Sequence, residues 1–149
     1  METIDSTKAA QVWQRVQGKA QPKEQGLLAM IAGEWTDATT YLLLSRHFQG
    51  KAGAALRKMY EEEQAHTACL KGIYTLITGT RPSVKATPPS SGDPESILRC
   101  CYGREMQCLV QYEARASDSE YGPVFTRLAA QEREHCRTIL ELIGNLKKK

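Results

Sequence analysis

Residues 56–77, LRKMYEEEQAHTACLKGIYTLI, and residues 125–146, FTRLAAQEREHCRTILELIGNL, carry the pattern that decides the fold. In each segment, apolar residues recur at alternating steps of three and four, as on one face of a helix that packs in a bundle. The first face consists of Leu56, Met59, Glu63, His66, Leu70, Ile73 and Ile77. The second consists of Phe125, Leu128, Glu132, His135, Ile139, Leu142 and Leu146. Both predicted core faces are therefore interrupted at the centre by the same pair, Glu-x-x-His.

Two further segments each place a single glutamate in the middle of an apolar face. One face consists of Leu27, Ile31, Glu34, Ala38, Tyr41 and Phe48, and the other of Leu98, Cys101, Glu105, Cys108 and Tyr112. In both faces a tyrosine follows the glutamate by seven residues, which is about two helical turns. The chain is therefore predicted to be an internal repeat of two helical hairpins, each reading Glu-x6-Tyr, turn, Glu-x-x-His.

The spacing also predicts which residues face each other. In an antiparallel hairpin, two residues lie at the same height when they are equidistant from the turn. The midpoint between Glu34 and Glu63 falls at the first predicted turn, and the midpoint between Glu105 and Glu132 falls inside the second. Each single glutamate should thus face the Glu-x-x-His pair of its own hairpin. Four carboxylates and two imidazoles are predicted to converge at one level of a bundle.

Proline and glycine mark where the predicted helices end. Residues 80–94, TRPSVKATPPSSGDP, hold four of the six prolines, so we expect an extended linker there. No alternating run bounded by turns suggests a strand, and the fold class is predicted to be all-α. The predicted helices cover residues 6–17, 23–49, 54–78, 93–117 and 123–143. They form a short N-terminal helix and connection over residues 1–22 and a four-helix bundle over residues 23–149, with the linker crossing between hairpins.

Composition excludes several classes of protein. The chain has 149 residues, of which 41% are hydrophobic and 25% charged, with a net charge of +3. The longest apolar run is far shorter than the ~20 residues that span a bilayer, and the N-terminal sequence is unlike a signal peptide. Charges of both signs are mixed, so we expect neither nucleic acid nor membrane as a partner. The five cysteines lack C-x-x-C spacing, which indicates reduced thiols in a cytoplasmic protein.

The four glutamates point to metal. Buried carboxylates are very costly unless they are paired, and no lysine or arginine lies on the predicted core faces. Two divalent cations would balance the four negative charges, with both histidines neutral. A carboxylate-rich site with two imidazoles suits iron or manganese better than zinc. A metal-free bundle remains the alternative.

These motifs also carry a family resemblance. The stretches GEWTDATTY (33–41), EEEQAH (61–66), GREMQCLVQY (103–112) and AQEREH (130–135) resemble the ferritin-like superfamily, specifically its rubrerythrin-type di-iron domain. The resemblance covers residues 27–143 and implies a ferritin-like four-helix bundle whose two hairpins are joined by a proline-rich crossover. The implied metal ligands are Glu34, Glu63, His66, Glu105, Glu132 and His135. The chain lacks the rubredoxin-like domain of full-length rubrerythrins, and Cys108 stands where the family tends to have a further glutamate.

The resemblance implies a non-haem di-iron oxidoreductase that reduces hydrogen peroxide or dioxygen, as rubrerythrin-like peroxidases do in oxidative-stress defence. We expect two iron ions, with manganese as the alternative, bridged by Glu63 and Glu132. Glu34 and Glu105 should bind one ion each. A peroxidase of this kind would need a separate electron-donor protein, and we expect a homodimer.

Other interpretations remain open at this point. The bundle is alternatively an iron-handling ferroxidase or storage protein in a larger shell, or a metal-bearing structural bundle without turnover. Tyr41 and Tyr112 are candidate hydrogen-bond donors to the carboxylates, with ordinary core tyrosines as the alternative.

Overall fold

The computed structural model describes residues 24, 26–85, 87 and 92–148. Over these residues the chain forms four α-helices and no strand: α1 (Leu27–Ser45), α2 (Gly50–Thr78), α3 (Pro94–Ala114) and α4 (Gly122–Leu146). The predicted all-α class is confirmed. The helix predicted over residues 6–17 lies outside the described residues.

The helices form two antiparallel hairpins that pack into one bundle. α1 packs along α2 and α3 along α4, while α1 also contacts α3 and α2 also contacts α4. One apolar cluster joins the starts of α1 and α4 to the ends of α2 and α3, through Leu27, Ile31, Leu70, Ile73, Tyr112 and Phe125. A second cluster joins the four opposite ends, through Leu44, Leu56, Leu98 and Ile139. α2 and α3 therefore run parallel, and the chain between them returns along the bundle, which confirms the predicted crossover.

The predicted signals at the ends of the crossover are also confirmed. Gly79 follows the end of α2 in the left-handed conformation, with φ of 74°, which glycine adopts at little cost. Before α3, the carboxylate of Asp93 accepts a hydrogen bond from the backbone N–H of Ser96, and Pro94 is the first helical residue.

The turn between α1 and α2 lies about four residues earlier than predicted. α1 ends at Ser45, and α2 already begins at Gly50. Gly53, which was expected to extend the turn, lies in the first turn of α2, where a Cβ atom would collide with the carbonyl group of Phe48. A Cβ atom at Gly122, at the start of α4, would likewise collide with the carbonyl group of Ala116. Both hairpins therefore use a glycine so that the turn can approach the following helix closely.

The two apolar clusters lie at opposite ends of the bundle, and a layer of buried polar residues lies between them. None of the helices in the described part of the chain combines the length and the apolar character that crossing a membrane requires. The fold thus encloses its most polar layer at the middle of its core.

Candidate metal centre

The six predicted ligands come together in this layer, and none is more than 1% exposed. They form two overlapping groups, in each of which one ligand atom from every residue lies within 4.8 Å of the others. We call them the first position (Glu34, Glu63, His66 and Glu132) and the second position (Glu63, Glu105, Glu132 and His135). The cluster could therefore hold a metal ion. Glu63 and Glu132, the residues predicted to bridge, are the ones shared by both positions.

The imidazoles present the same atom to the carboxylates. Nδ1 of His66 lies 2.8 Å from Oε1 of Glu132 and 3.2 Å from Oε2 of Glu34. Nδ1 of His135 lies 2.7 Å from Oε1 of Glu63 and 3.4 Å from Oε1 of Glu105. The two rings are stacked, with centroids 5.8 Å apart. In their neutral form both rings can thus offer Nδ1 as a ligand at the centre of the layer.

Both tyrosines hold the single glutamates, as predicted for donors to the carboxylates. The hydroxyl of Tyr41 donates to Oε1 of Glu105 at 2.6 Å, and the hydroxyl of Tyr112 donates to Oε1 of Glu34 at 2.5 Å. Each hydrogen bond therefore crosses from one hairpin to the other. Burial raises the pKa of both phenols well above the usual range, so both remain protonated donors.

Several polar atoms of the layer lack hydrogen bonds. Six buried atoms have no partner with hydrogen-bond geometry among the described residues. They are both carboxylate oxygens of Glu63, both carboxylate oxygens of Glu132, Oε2 of Glu105 and Nδ1 of His135. The close contacts of Glu63 and Glu132 with the imidazoles are charge contacts without hydrogen-bond geometry. Buried carboxylate oxygens that lack hydrogen bonds are costly, whereas a divalent cation binds such oxygens directly. The donor set therefore fits a metal ion better than it fits a hydrogen-bonded core.

The charges of the layer depend on each other. Burial and the neighbouring charge of Glu63 raise the pKa of Glu132 to about 7. Burial also acts against the charge on Glu63, but the contacts with His135 and His66 outweigh it and lower its pKa. Burial opposes protonation of the histidines, yet the contacts of His66 with Glu132 and Glu63 raise its pKa to about 10. The pKa of His135 is raised chiefly by Glu63. Without metal, protons on these groups thus replace part of the missing positive charge.

Sequence reasoning missed the outer partners of the histidines. Nε2 of His66 is hydrogen-bonded to Oε1 of Gln131, and Nε2 of His135 lies 3.0 Å from Oε2 of Glu62. Glu62 directly precedes Glu63, and Gln131 directly precedes Glu132. A polar residue at this position in both hairpins is the sequence signal from which these partners could have been predicted. Such outer partners fix the orientation and the tautomer of a metal-binding imidazole.

A buried ion pair beside the centre was also missed. Asp37 is 1% exposed, and Nε of Arg104 donates to its Oδ1 at 2.5 Å, joining α1 to α3. Burial raises the pKa of Asp37 to about 6 although the guanidinium of Arg104 opposes the shift. Asp37 follows Glu34 by three residues, as Cys108 follows Glu105. The position three residues after the single glutamate thus holds a buried acid in one hairpin and a buried thiol in the other.

Comparisons of the chain with protein-family models, curated proteins and solved structures found no match. The resemblance to rubrerythrin-type domains therefore stays a prediction. The chemistry of the centre must be argued from its own residues.

Proposed function

We propose that this bundle is a non-haem di-iron oxidoreductase that reduces hydrogen peroxide or dioxygen in the manner of rubrerythrin-like peroxidases. The observation that carries the proposal is the group of five buried carboxylate oxygens without hydrogen-bond partners, next to two imidazoles that present Nδ1. Two divalent ions would neutralise the four carboxylates, and the mixture of oxygen and nitrogen ligands favours iron or manganese over zinc.

Each ion would have its own ligands and share two. Glu34 and His66 would hold an ion at the first position, Glu105 and His135 would hold an ion at the second, and Glu63 with Glu132 would bridge the two. When bound, two ferrous ions supply one electron each, which with two protons reduce hydrogen peroxide to two water molecules.

The chain's own residues would keep this chemistry in place. Tyr41 and Tyr112 fix one oxygen of each single glutamate and leave the other oxygen for a metal. Glu62 and Gln131 hold the imidazole rings from behind. The apolar clusters at both ends of the layer exclude water along the bundle axis. Electrons for a second turnover would come from a separate donor protein.

Anaerobic reconstitution with ferrous iron tests the proposal. We expect about two irons per chain, followed by rapid oxidation with hydrogen peroxide and near-ultraviolet absorbance of ferric iron. The double variant Glu63→Gln with Glu132→Gln should bind no iron tightly. Glu61→Gln removes one negative charge from an exposed position on α2 and should behave like the unmodified chain. One iron or none per chain, or oxidation no faster than that of free ferrous iron, would contradict the proposal.

The iron-handling alternative would use the same ligands, so particle size separates the two. A storage cage should elute as a very large particle in size-exclusion chromatography, whereas the proposed oxidoreductase should elute as a dimer. Repeated turnover with peroxide should require an added electron donor, and the protein alone should react once.

A further inference from the structure

A cavity of about 140 Å³ lies between α1 and α3, beside the single glutamates. Its lining includes the residue directly before each glutamate, Gly33 and Arg104, and the residue three positions after each, Asp37 and Cys108. Its walls therefore belong to the same helical turns as Glu34 and Glu105.

The cavity leads inward from the surface. Ala29, Gln107 and Gln111 on its rim are exposed, whereas Asp37 and Cys108 on its floor are buried. Its volume exceeds the roughly 30 Å³ of a water molecule in the liquid, so it accommodates a molecule with two heavy atoms such as hydrogen peroxide. Arg104 and Asp37 give its wall both hydrogen-bond donors and acceptors, which an uncharged polar oxidant requires.

The space depends on a glycine. A Cβ atom at Gly33 would meet nothing within 4 Å, so a side chain there would extend into open space without strain in the backbone. The corresponding position in the second hairpin is Arg104, whose side chain reaches across to Asp37 on α1. The cavity thus exists because one hairpin supplies a long side chain where the other supplies none.

The other approaches to the centre differ from the α1–α3 cavity. Between α2 and α4, each histidine is hydrogen-bonded outward, to Gln131 or to Glu62. Both ends of the layer are covered by apolar clusters. A second cavity of about 290 Å³ lies between α1 and α2 with Ala38 and Thr67 buried on its floor. Unlike the α1–α3 cavity, it has no buried charged side chain among its lining residues.

We infer that the α1–α3 cavity is the route by which a small uncharged oxidant reaches the metal centre, with the Arg104–Asp37 ion pair as its polar wall. This inference rests on the proposed function for the identity of the oxidant. The existence of the route can be tested without any metal.

The metal-free test uses Cys108 as a reporter of access. The tryptic peptide 105–115 contains Cys108 and no other cysteine, so mass spectrometry can follow its labelling with methyl methanethiosulfonate. We expect Gly33→Leu to slow labelling of Cys108 at least tenfold in the apo protein. Gly103→Leu, which adds the same side chain at an exposed glycine of α3, should leave the rate unchanged, and labelling of exposed Cys100 should be equal in all variants.

The second test uses the iron-loaded protein in a stopped-flow instrument. The series Gly33→Ala, Gly33→Val and Gly33→Leu should slow oxidation by peroxide progressively, reaching at least tenfold, with unchanged iron content and no loss of stability. Ala68→Leu, which fills the cavity between α1 and α2, should not slow it. The graded series keeps the test valid if Gly33→Leu fails to fold.

The outcomes separate this inference from the proposed function. If the unmodified protein binds no iron or does not react with peroxide, the proposed function fails, while the labelling result still decides whether the cavity admits small molecules. If the unmodified protein reacts and the Gly33 variants react equally fast, or if Ala68→Leu alone slows the reaction, the route is wrong and the proposed function stands.

Discussion

The two hairpins place the same ligands around the centre but surround them differently. Behind the imidazole of the second position stands a carboxylate, Glu62, whereas behind that of the first position stands an amide, Gln131. A carboxylate that accepts the ring N–H makes the imidazole a stronger ligand. We therefore expect the second position to bind its metal more tightly than the first.

The two hairpins also differ on the side of the bundle where α1 faces α3. Asp37 in α1 corresponds to Cys108 in α3, and Gly33 corresponds to Arg104. This ion pair therefore forms once between these helices, where strict repetition would form it either twice or not at all. The inner ligands are thus set by the repeat, and the two metal positions are distinguished by the residues around them.

The largest expected effect comes from removing the shared ligands. The double variant Glu63→Gln with Glu132→Gln takes ligands from both positions, so cobalt(II) titration of the apo protein should detect no tight binding. Glu34→Gln and Glu105→Gln each affect one position and should leave about one ion per chain. If either single variant still binds two ions with unchanged affinity, that glutamate is not a ligand, and the residues assigned to the first and second positions are wrong.

The apo protein should lose stability as the pH rises. The pKa of Glu132 is raised from 4.5 to about 7 and that of His66 from 6.5 to about 10, so both groups hold their proton more tightly in the folded state. Their stabilising effect is complete below the unfolded pKa and is lost as the pH rises through the folded pKa. Glu132 contributes to this loss between about pH 4.5 and 7, and His66 above about pH 6.5, each by up to about 1.4 kcal/mol per pH unit. Glu63, whose pKa is lowered, acts in the opposite direction only below its ordinary value of 4.5.

Urea unfolding between pH 5 and 9 checks this dependence. Glu132→Gln should flatten the slope between pH 5 and 7, and it should weaken the slope above pH 7 because the pKa of His66 loses the carboxylate that helps to raise it. Glu61→Gln should change neither slope. Stability that rises with pH across this whole range would show that the carboxylates and imidazoles do not interact as described.

Exchanging the outer partners tests the expected difference between the two positions. Glu62→Gln should weaken binding at the second position about 10–100-fold, because the imidazole of His135 loses its carboxylate partner. Gln131→Glu should strengthen binding at the first position and bring the two binding steps closer together. Isothermal titration with cobalt(II) resolves both changes. Equal affinities in all variants would mean that these partners only fill space.

The smallest effect is expected for the tyrosines. Tyr41→Phe and Tyr112→Phe keep the ring but leave one buried oxygen of Glu105 or Glu34 without its donor. Each should lower the free energy of unfolding of the apo protein by about 1–2 kcal/mol, and the two losses should be similar because the two bonds are equivalent. Tyr60→Phe, at a partly exposed tyrosine whose hydroxyl accepts from Gln64, is the control and should cost less.

The residues on the buried faces of the four helices could be predicted from the sequence. The polar interruptions of four regular apolar faces were enough to predict the bundle, the convergence of Glu34 with Glu63 and His66, and the corresponding group in the second hairpin. Regular periodicity locates a residue on the buried face of its helix without knowledge of its neighbours. Tyr41 and Tyr112 were found because they lie two turns from a glutamate on such a face.

The outer part could not be predicted in the same way. Glu62 and Gln131 lie at the flank of the buried face, where a polar residue usually meets solvent, and only the packing of α2 against α4 gives them a histidine. Asp37 is buried because α1 contacts α3 as well as α2, which places Arg104 beside it. That each tyrosine reaches the opposite hairpin depends on how the two hairpins dock. Periodicity within one helix contains no such information.

The crossover between α2 and α3 joins the two halves of the centre in one polypeptide, so the two halves can differ in sequence. Two separate copies of one hairpin would associate about a two-fold axis, and symmetry would give both halves identical residues at every position. Such an assembly could not form the Arg104–Asp37 ion pair once while placing a glycine and a cysteine at the two corresponding positions, nor give one histidine an acid and the other an amide. By linking the halves in one polypeptide, residues 79–93 release them from that constraint. A single substitution then changes one side of the centre alone.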